Sequence, residues 1–325
     1  MNWVLSLIAG VTIGCVPLIV PAQVNPSTPL RIIVPTAPGG TADAVARMVG
    51  PIVSEWSGQS TIVDNRAGAS TIIGMSACAK AATDGQTICI APADSLIYNA
   101  YLYSNLPYDP ERDFTPVTQL TWTSNLLVAA ASAPFNTYRE MIAYAKSKPG
   151  TLNWGTWGAG TLPDIYLKWV EHQANVNIIA IPYKSAPLIM PAMFAGEVHI
   201  TYMGVGTALP QIKAGKLKPL VTVGDRRSTF MPSLPTLQEE GGDPDMLSYF
   251  GVFVPARTPR IIVERLNALF AKAIQEPRLQ EPLRKYTLEP VGNPSAEFAE
   301  LLRRHRSNAG KVFKMMGIRP SDAPS

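Results

Sequence analysis

Charge is scarce in this chain: 16% of its 325 residues are Asp, Glu, Lys or Arg, and the formal net charge is only +4. No long basic run interrupts it, and nucleic-acid binding draws on a clustered Lys/Arg footprint, so no nucleic-acid partner is expected. The one concentration, Arg303-Arg304-His305-Arg306, falls in a helical pattern and reads as a solvated face. Histidine is rarer still. His172, His199 and His305 are scattered, with no i,i+4 pair to hold a metal, and His305 reads as a packed residue. There is no Gly-x-Ser-x-Gly elbow, no cysteine with an evident activating histidine, and neither Gly-x-Gly-x-x-Gly nor Gly-Lys-Ser/Thr. Acyl-transfer chemistry and nucleotide binding therefore find no support, and no metal or other cofactor is called for.

No charged residue precedes Arg31, and residues 3–20 are almost wholly apolar. Val20-Pro21-Ala22 has the small-residue pattern of a signal-peptidase site, so residues 1–22 are expected to be a signal peptide and Gln23 the mature start. A buried or membrane helix would be broken by Pro17 and Pro21. A lipoprotein site at Cys15 is disfavoured because the apolar run continues past it. Export to the periplasm follows, and no later segment reads as transmembrane. Cys78 and Cys89 remain in the mature chain. An oxidising compartment would allow one bridge between them; the expectation taken is two separate buried thiols.

What the chain has is alternation. Apolar strand patterns at 30–34, 61–63 and 87–91 are separated by helical stripes at 41–57 and 71–82, a β-α-β-α-β unit. A second series begins near Thr123, with strands expected at 126–130, 152–154, 178–181, 199–203 and 217–223 and helices at 138–147, 162–173 and 187–195. After a strand at 249–254 the chain turns helical, with Thr258-Pro259 as cap and first-turn proline. Such alternation predicts parallel sheets covered by helices. The simplest packing returns the last helices to the first unit, giving lobe 1 from 23–122 plus 249–325 and lobe 2 from 123–248. Two crossings make a hinge, and a cleft between two such lobes is a place to clamp a ligand.

Two loops could hold that ligand. Residues 35–43, Pro-Thr-Ala-Pro-Gly-Gly-Thr-Ala-Asp, join the first strand to the first helix. Gly39 and Gly40 let the backbone approach a ligand, and the helix start offers unpaired N–H groups to an anion. Thr36, Ala37, Gly39, Gly40 and Asp43 are therefore candidate binding residues, with Asp43 also suited to brace the loop. The same residues would suit an ordinary strand-to-helix turn. In the second unit Trp157, Gly158, Ala159, Gly160 and Thr161 form a comparable entry to the helix from Leu162. Two helix starts facing one another could hold both ends of a short diacid. Arg66 is expected to brace a loop.

Residues 33–43 together with Asn65-Arg66-Ala67-Gly68-Ala69 resemble the start of the Bug family, the solute receptors of tripartite tricarboxylate transporters. Asp84-Gly85, Leu106-Pro107-Tyr108-Asp109-Pro110, Arg112-Asp113-Phe114, Pro182-Tyr183-Lys184, Lys213-Ala214-Gly215-Lys216-Leu217 and Leu234-Pro235-Thr236 extend the resemblance over the mature chain. The resemblance implies a type II periplasmic-binding-protein fold, two doubly wound α/β lobes on a two-crossing hinge. It also implies a small organic acid as ligand, a membrane permease as partner and a monomeric receptor that does no chemistry. By the same resemblance, 36–43 holds a carboxylate through backbone amides and water, and 158–161 contributes from the other lobe. Members of that family usually carry an aromatic residue where Thr36 stands, a small one for Trp157, histidine for Asp164, glycine for Ser185 and aspartate for His199. A reshaped pocket is expected, in which Trp157, with Trp122 or Tyr202, walls in an aromatic or chlorinated acid; packing of these rings in the core is the equal alternative. The competing functions are a loaded sensor subunit docking a membrane kinase and an organic-acid enzyme, which would need a general base that the sequence does not display.

Overall fold

A computed structural model of the chain describes residues 28–158, 161–183 and 186–321. The expected signal peptide, Cys15, Ala159, Gly160, Lys184 and Ser185 lie outside the described residues.

The first unit runs β1 (Leu30–Val34), α1 (Thr41–Ser57), β2 (Thr61–Asn65), α2 (Ile72–Ala79), β3 (Thr87–Pro92), α3 (Asp94–Ile97), α4 (Asn99–Leu102) and β4 (Phe114–Thr123). The second runs β5 (Asn125–Ala130), α5 (Tyr138–Ser147), β6 (Asn153–Thr156), α6 (Leu162–Ala174), β7 (Ile179–Pro182), α7 (Ala186–Phe194), β8 (Ile200–Gly204), α8 (Val205–Lys213) and β9 (Leu217–Thr222). The chain ends with β10 (Tyr249–Pro255), α9 (Arg260–Ile274), α10 (Gln280–Lys285), β11 (Leu288–Pro290) and α11 (Ser295–Met315).

The strands form two sheets, ordered β11-β4-β10-β3-β1-β2 and β7-β6-β8-β5-β9. The chain passes from the first sheet to the second at Ser124, between β4 and β5, and returns between β9 and β10. Both sheets are mixed, which corrects the expectation of parallel ones. β1 pairs in parallel with β2 and β3, and β6 with β7 and β8, but β10 is antiparallel to β3 and β4, and β5 to β8 and β9. Besides β11, which pairs antiparallel with β4, the antiparallel members β5 and β10 are the strands that follow the two crossings, where no helix intervenes to reverse them.

Period-2 alternation explains the layers. Leu30, Ile32 and Val34 on β1 join Ile88 and Ile90 of β3 in one core with α1 and α9, while Ile33, Cys89 and Ala91 face a second core with α2 and α11. That second core continues without a break through Tyr98, Leu247, Tyr202, Tyr166 and Trp154, so one apolar cluster runs from the first sheet to the second. Cys78 of α2 and Cys89 of β3 point into this same layer, with Cα atoms 6.2 Å apart, and form a disulfide. The two expected free thiols are thus corrected: the helix-to-strand turn is short enough to bring both sulfurs within bonding reach. Closing a loop of this size is worth roughly 3 kcal/mol.

α11 is tied to the return crossing by a buried clasp. His305, with 0% exposure, meets the Tyr249 hydroxyl through Nδ1 at 3.0 Å and Asp245 through Nε2 at 3.2 Å. Asn308 donates to Asp245 at 2.8 Å. Burial raises the Asp245 carboxyl, but His305, Arg304 and Asn308 outweigh it and hold the group below its ordinary range. At the other crossing, Ser124 donates to Glu289 of β11, which also accepts from Ser228 at 3.3 Å.

Candidate functional site

In parallel strands the loops at the C-terminal edge collect functional groups. β1 and β3 are parallel neighbours, so the turn at 35–40 and the residues after β3 open on one edge of the first sheet. β6 and β8 do the same for the turn at 156–161 in the second.

The first turn is built around Asp43. This side chain is 3% exposed, and its carboxylate accepts from the Gly39 N–H at 2.9 Å, from Arg47 Nε at 3.0 Å and from Asn65 Nδ2 at 3.0 Å. Asn65 also donates to the Thr36 carbonyl at 3.1 Å. Burial raises the Asp43 carboxyl, but the bonds from Arg47, Gly39 and Asn65 win and hold it below its ordinary value. The carboxylate is therefore spent on bracing, and what Asp43 can offer a ligand is its N–H in the first turn of α1. Gly39 stands at φ 82°, a left-handed conformation that glycine adopts without strain. Gly40 caps α1 with no side-chain hydrogen bond, leaving the helix start to its own N–H groups. Arg66 bonds Asp64 at 2.9 Å and so braces the neighbouring strand end.

The second turn relies on hydroxyls. The Gly158 N–H donates to Thr156 Oγ1 at 3.3 Å, and Thr161 Oγ1 donates back to the Gly158 carbonyl at 2.7 Å, with Gly158 at φ 104°. Because its hydroxyl is turned to Gly158, Thr161 caps α6 without a side-chain bond to the helix. α5, on another part of the lobe, is capped conventionally: the Thr137 side chain accepts from the Glu140 N–H. Trp157 and Tyr202 meet edge to face with ring centroids 6.2 Å apart, and Tyr202 stacks on Tyr166 at 5.2 Å. Trp122 does not join them. It stacks on Tyr249 at 6.3 Å with the Arg226 guanidinium over its face, so the expected wall reduces to Trp157 and Tyr202.

Several covered polar atoms have no hydrogen-bond partner: Thr36 Oγ1, Trp157 Nε1, the Tyr202 hydroxyl and Asp94 Oδ1. A buried polar atom without a partner costs about 1–3 kcal/mol, so Thr36 Oγ1 and Trp157 Nε1, one at each turn, would gain from a polar partner, as would covered atoms elsewhere such as Gln119 Nε2 and Thr258 Oγ1. A cavity of about 700 Å³ between Pro116, Val263, Asn267 and Ser295 is lined by Thr258 but by no residue of either turn. Asp94 escaped the sequence reading. Its only signal was an acidic residue just past a buried strand, in the run Ala91-Pro92-Ala93-Asp94-Ser95, which looks like any polar turn.

His199, expected to mark a departure from the family pattern, accepts the Asn153 N–H on Nδ1 at 3.0 Å, and burial lowers its pKa. Among the described residues no group of His, Cys, Asp and Glu could hold a metal ion, and no helix is long and apolar enough to cross a membrane.

Comparison with known proteins agrees with this architecture. Residues 45–318 match the family model described as the tripartite tricarboxylate transporter family receptor. A protein encoded in the tcbD-tcbE intergenic region of Pseudomonas sp. (strain P51) is 33% identical over 290 residues, 89% of this chain and 86% of that one. An R. palustris protein solved with adipate is 31% identical at a TM-score of 0.70, covering 90% of this chain and 98% of its own. MatC of Rhodopseudomonas palustris, solved with bound malate, is 27% identical at a TM-score of 0.65, covering 87% and 98%. The family resemblance and the two-lobed periplasmic-binding fold read from the sequence are both borne out, and this chain belongs to the tripartite tricarboxylate transporter receptor family.

Proposed function

We propose that this receptor works in the periplasm as a monomer, closes on a small carboxylic acid and hands it unchanged to a membrane permease of the tripartite tricarboxylate type. Its moving parts are lobe 1, residues 23–122 with 249–325, and lobe 2, residues 123–248. The observation that carries the reading is the pair of glycine turns, each at the C-terminal edge of its sheet, each leading into a helix with no side-chain cap. Helix starts of this kind favour an anion through their N–H groups and dipole. Thr36, Ala37, Gly39, Gly40 and the Asp43 N–H would hold it from lobe 1. Trp157, Gly158, Ala159, Gly160, Thr161 and Tyr202 would meet it from lobe 2. Two structurally similar relatives were solved with the dicarboxylates adipate and malate, which supports the ligand class.

A thermal-shift screen of the chain from Gln23 with a carboxylic-acid library tests this. At a hundredfold excess over Kd a true ligand adds about 2.7 kcal/mol of stability and raises Tm visibly. An unmoved melting curve across the whole library would count against the receptor reading.

A further inference from the structure

The long helix α11 starts without a side-chain cap: Pro294 stands at its N-cap, and the Ser295 hydroxyl turns aside to donate to the Pro116 carbonyl at 2.6 Å. The leading N–H groups of an α-helix have no partner within the helix. Here the residues that carry them, Ser295 and Ala296, line the cavity of about 700 Å³ that lies between α11, the side of α9 and the start of β4. Thr258 lines the same cavity. The sequence casts it as the cap of α9, yet Pro259 takes that position and no side chain caps the helix. The Thr258 hydroxyl is thereby left over. The residue is 7% exposed, and its Oγ1 has no hydrogen-bond partner among the described residues. A covered hydroxyl left in this way is costly, so a guest that reached it would be held.

Beside these donors Val263 of α9, Pro116 of β4 and Ala299 of α11 present apolar surface. The charges on the lining are Arg260 and Glu264, bonded to each other at 2.6 Å, and the pair leaves no net charge to repel an anion. Asn267 spends its amide on the Val117 and Asn293 carbonyls. A helix start favours a negative charge through its free N–H groups and its dipole, and a cavity of this size suits a small molecule. We infer that this cavity is a second binding site, apart from the cleft, for a small acid with an apolar body. Its carboxylate takes the N–H groups at the start of α11 and the Thr258 hydroxyl, and its hydrocarbon lies against Val263, Pro116 and Ala299.

Amide NMR titrations of the chain from Gln23 with hexanoate, benzoate, acetate and sulfate test it. Hexanoate and benzoate should shift the signals of Thr258, Ser295 and Ala296 saturably, whereas acetate and sulfate, which bring little or no hydrocarbon, should need about tenfold more. Thr258→Val should weaken hexanoate binding at these signals about fivefold, and Ala299→Leu, which fills the apolar wall, should weaken it further. Neither change should alter the response of Gly39 and Gly40 in the cleft. The inference is overturned if none of the three signals moves with either larger acid, if sulfate acts as strongly as hexanoate, or if a folded variant of either kind binds as the wild type does. The wild-type titrations decide by themselves should the variants not fold. A cleft that stays silent to every acid while this cavity responds would count against the receptor reading and leave the inference standing.

Discussion

The turn at 36–40 is held from beneath by a buried carboxylate that bonds Gly39, Arg47 and Asn65, whereas the described residues of the second turn are tied by the hydroxyls of Thr156 and Thr161 around Gly158 and by main-chain bonds such as Tyr183 N–H to the Thr156 carbonyl. The first carries no ring. The second carries Trp157, set against Tyr202 and Tyr166. Both end at a helix start without a side-chain cap, so both can meet an anion. Under the proposed receptor role the difference would divide the labour: the braced turn would be fixed before any ligand arrives, and the ringed turn would set which ligand fits. Preorganised donors lose little on binding, so the braced side should govern affinity for acids in general.

The comparison breaks most visibly at Asp43. Asp43→Ala removes the acceptor of the Gly39 N–H and strands Asn65, so we expect a loss of about 2 kcal/mol in denaturant unfolding and about tenfold weaker binding of every acid that binds the wild type. The pH dependence has a definite sign. Asp43 is held below the ordinary aspartate value, so its stabilising contribution is present above that ordinary value and is lost as pH falls through the lower folded one. The gap between wild type and variant should therefore close in acid. A variant as stable and as tight-binding as the wild type would remove the brace from the account.

Trp157→Ala is the sharper and smaller test. Trp157 is half-buried, so global stability should change little, while affinity for aromatic acids should drop about tenfold and that for aliphatic acids should hold. Calorimetry with both classes reads the split; unchanged affinity for aromatic acids would return Trp157 to a packing role.

The sequence displayed the frame of the molecule because its elements are strongly periodic: β1, α1, β3, α9 and α11 all announce an apolar stripe, and both glycine turns stand between a strand and a helix. It hid whatever depends on long-range neighbours. β4 was not anticipated, because Thr115, Pro116, Thr118, Gln119 and Thr121 interrupt its apolar pattern, although its register with β10 buries most of it. α8 went unread for the same reason, with Gly206 and Pro210 inside a short segment. The Cys78–Cys89 bridge depends on two elements sharing a layer, which periodicity within either cannot reveal. Asp94 is the clearest case. Only the parallel pairing of β1 with β3 brings it to the edge where the first turn opens.

The most direct measurement is a crystal structure of the chain with a bound acid. The account predicts a ligand carboxylate within about 2.7–3.2 Å of main-chain N–H groups at Thr41, Ala42 or Asp43, with the starting turn of α6 closing from the other side. A carboxylate held by side chains elsewhere, with both helix starts left to solvent, would contradict it.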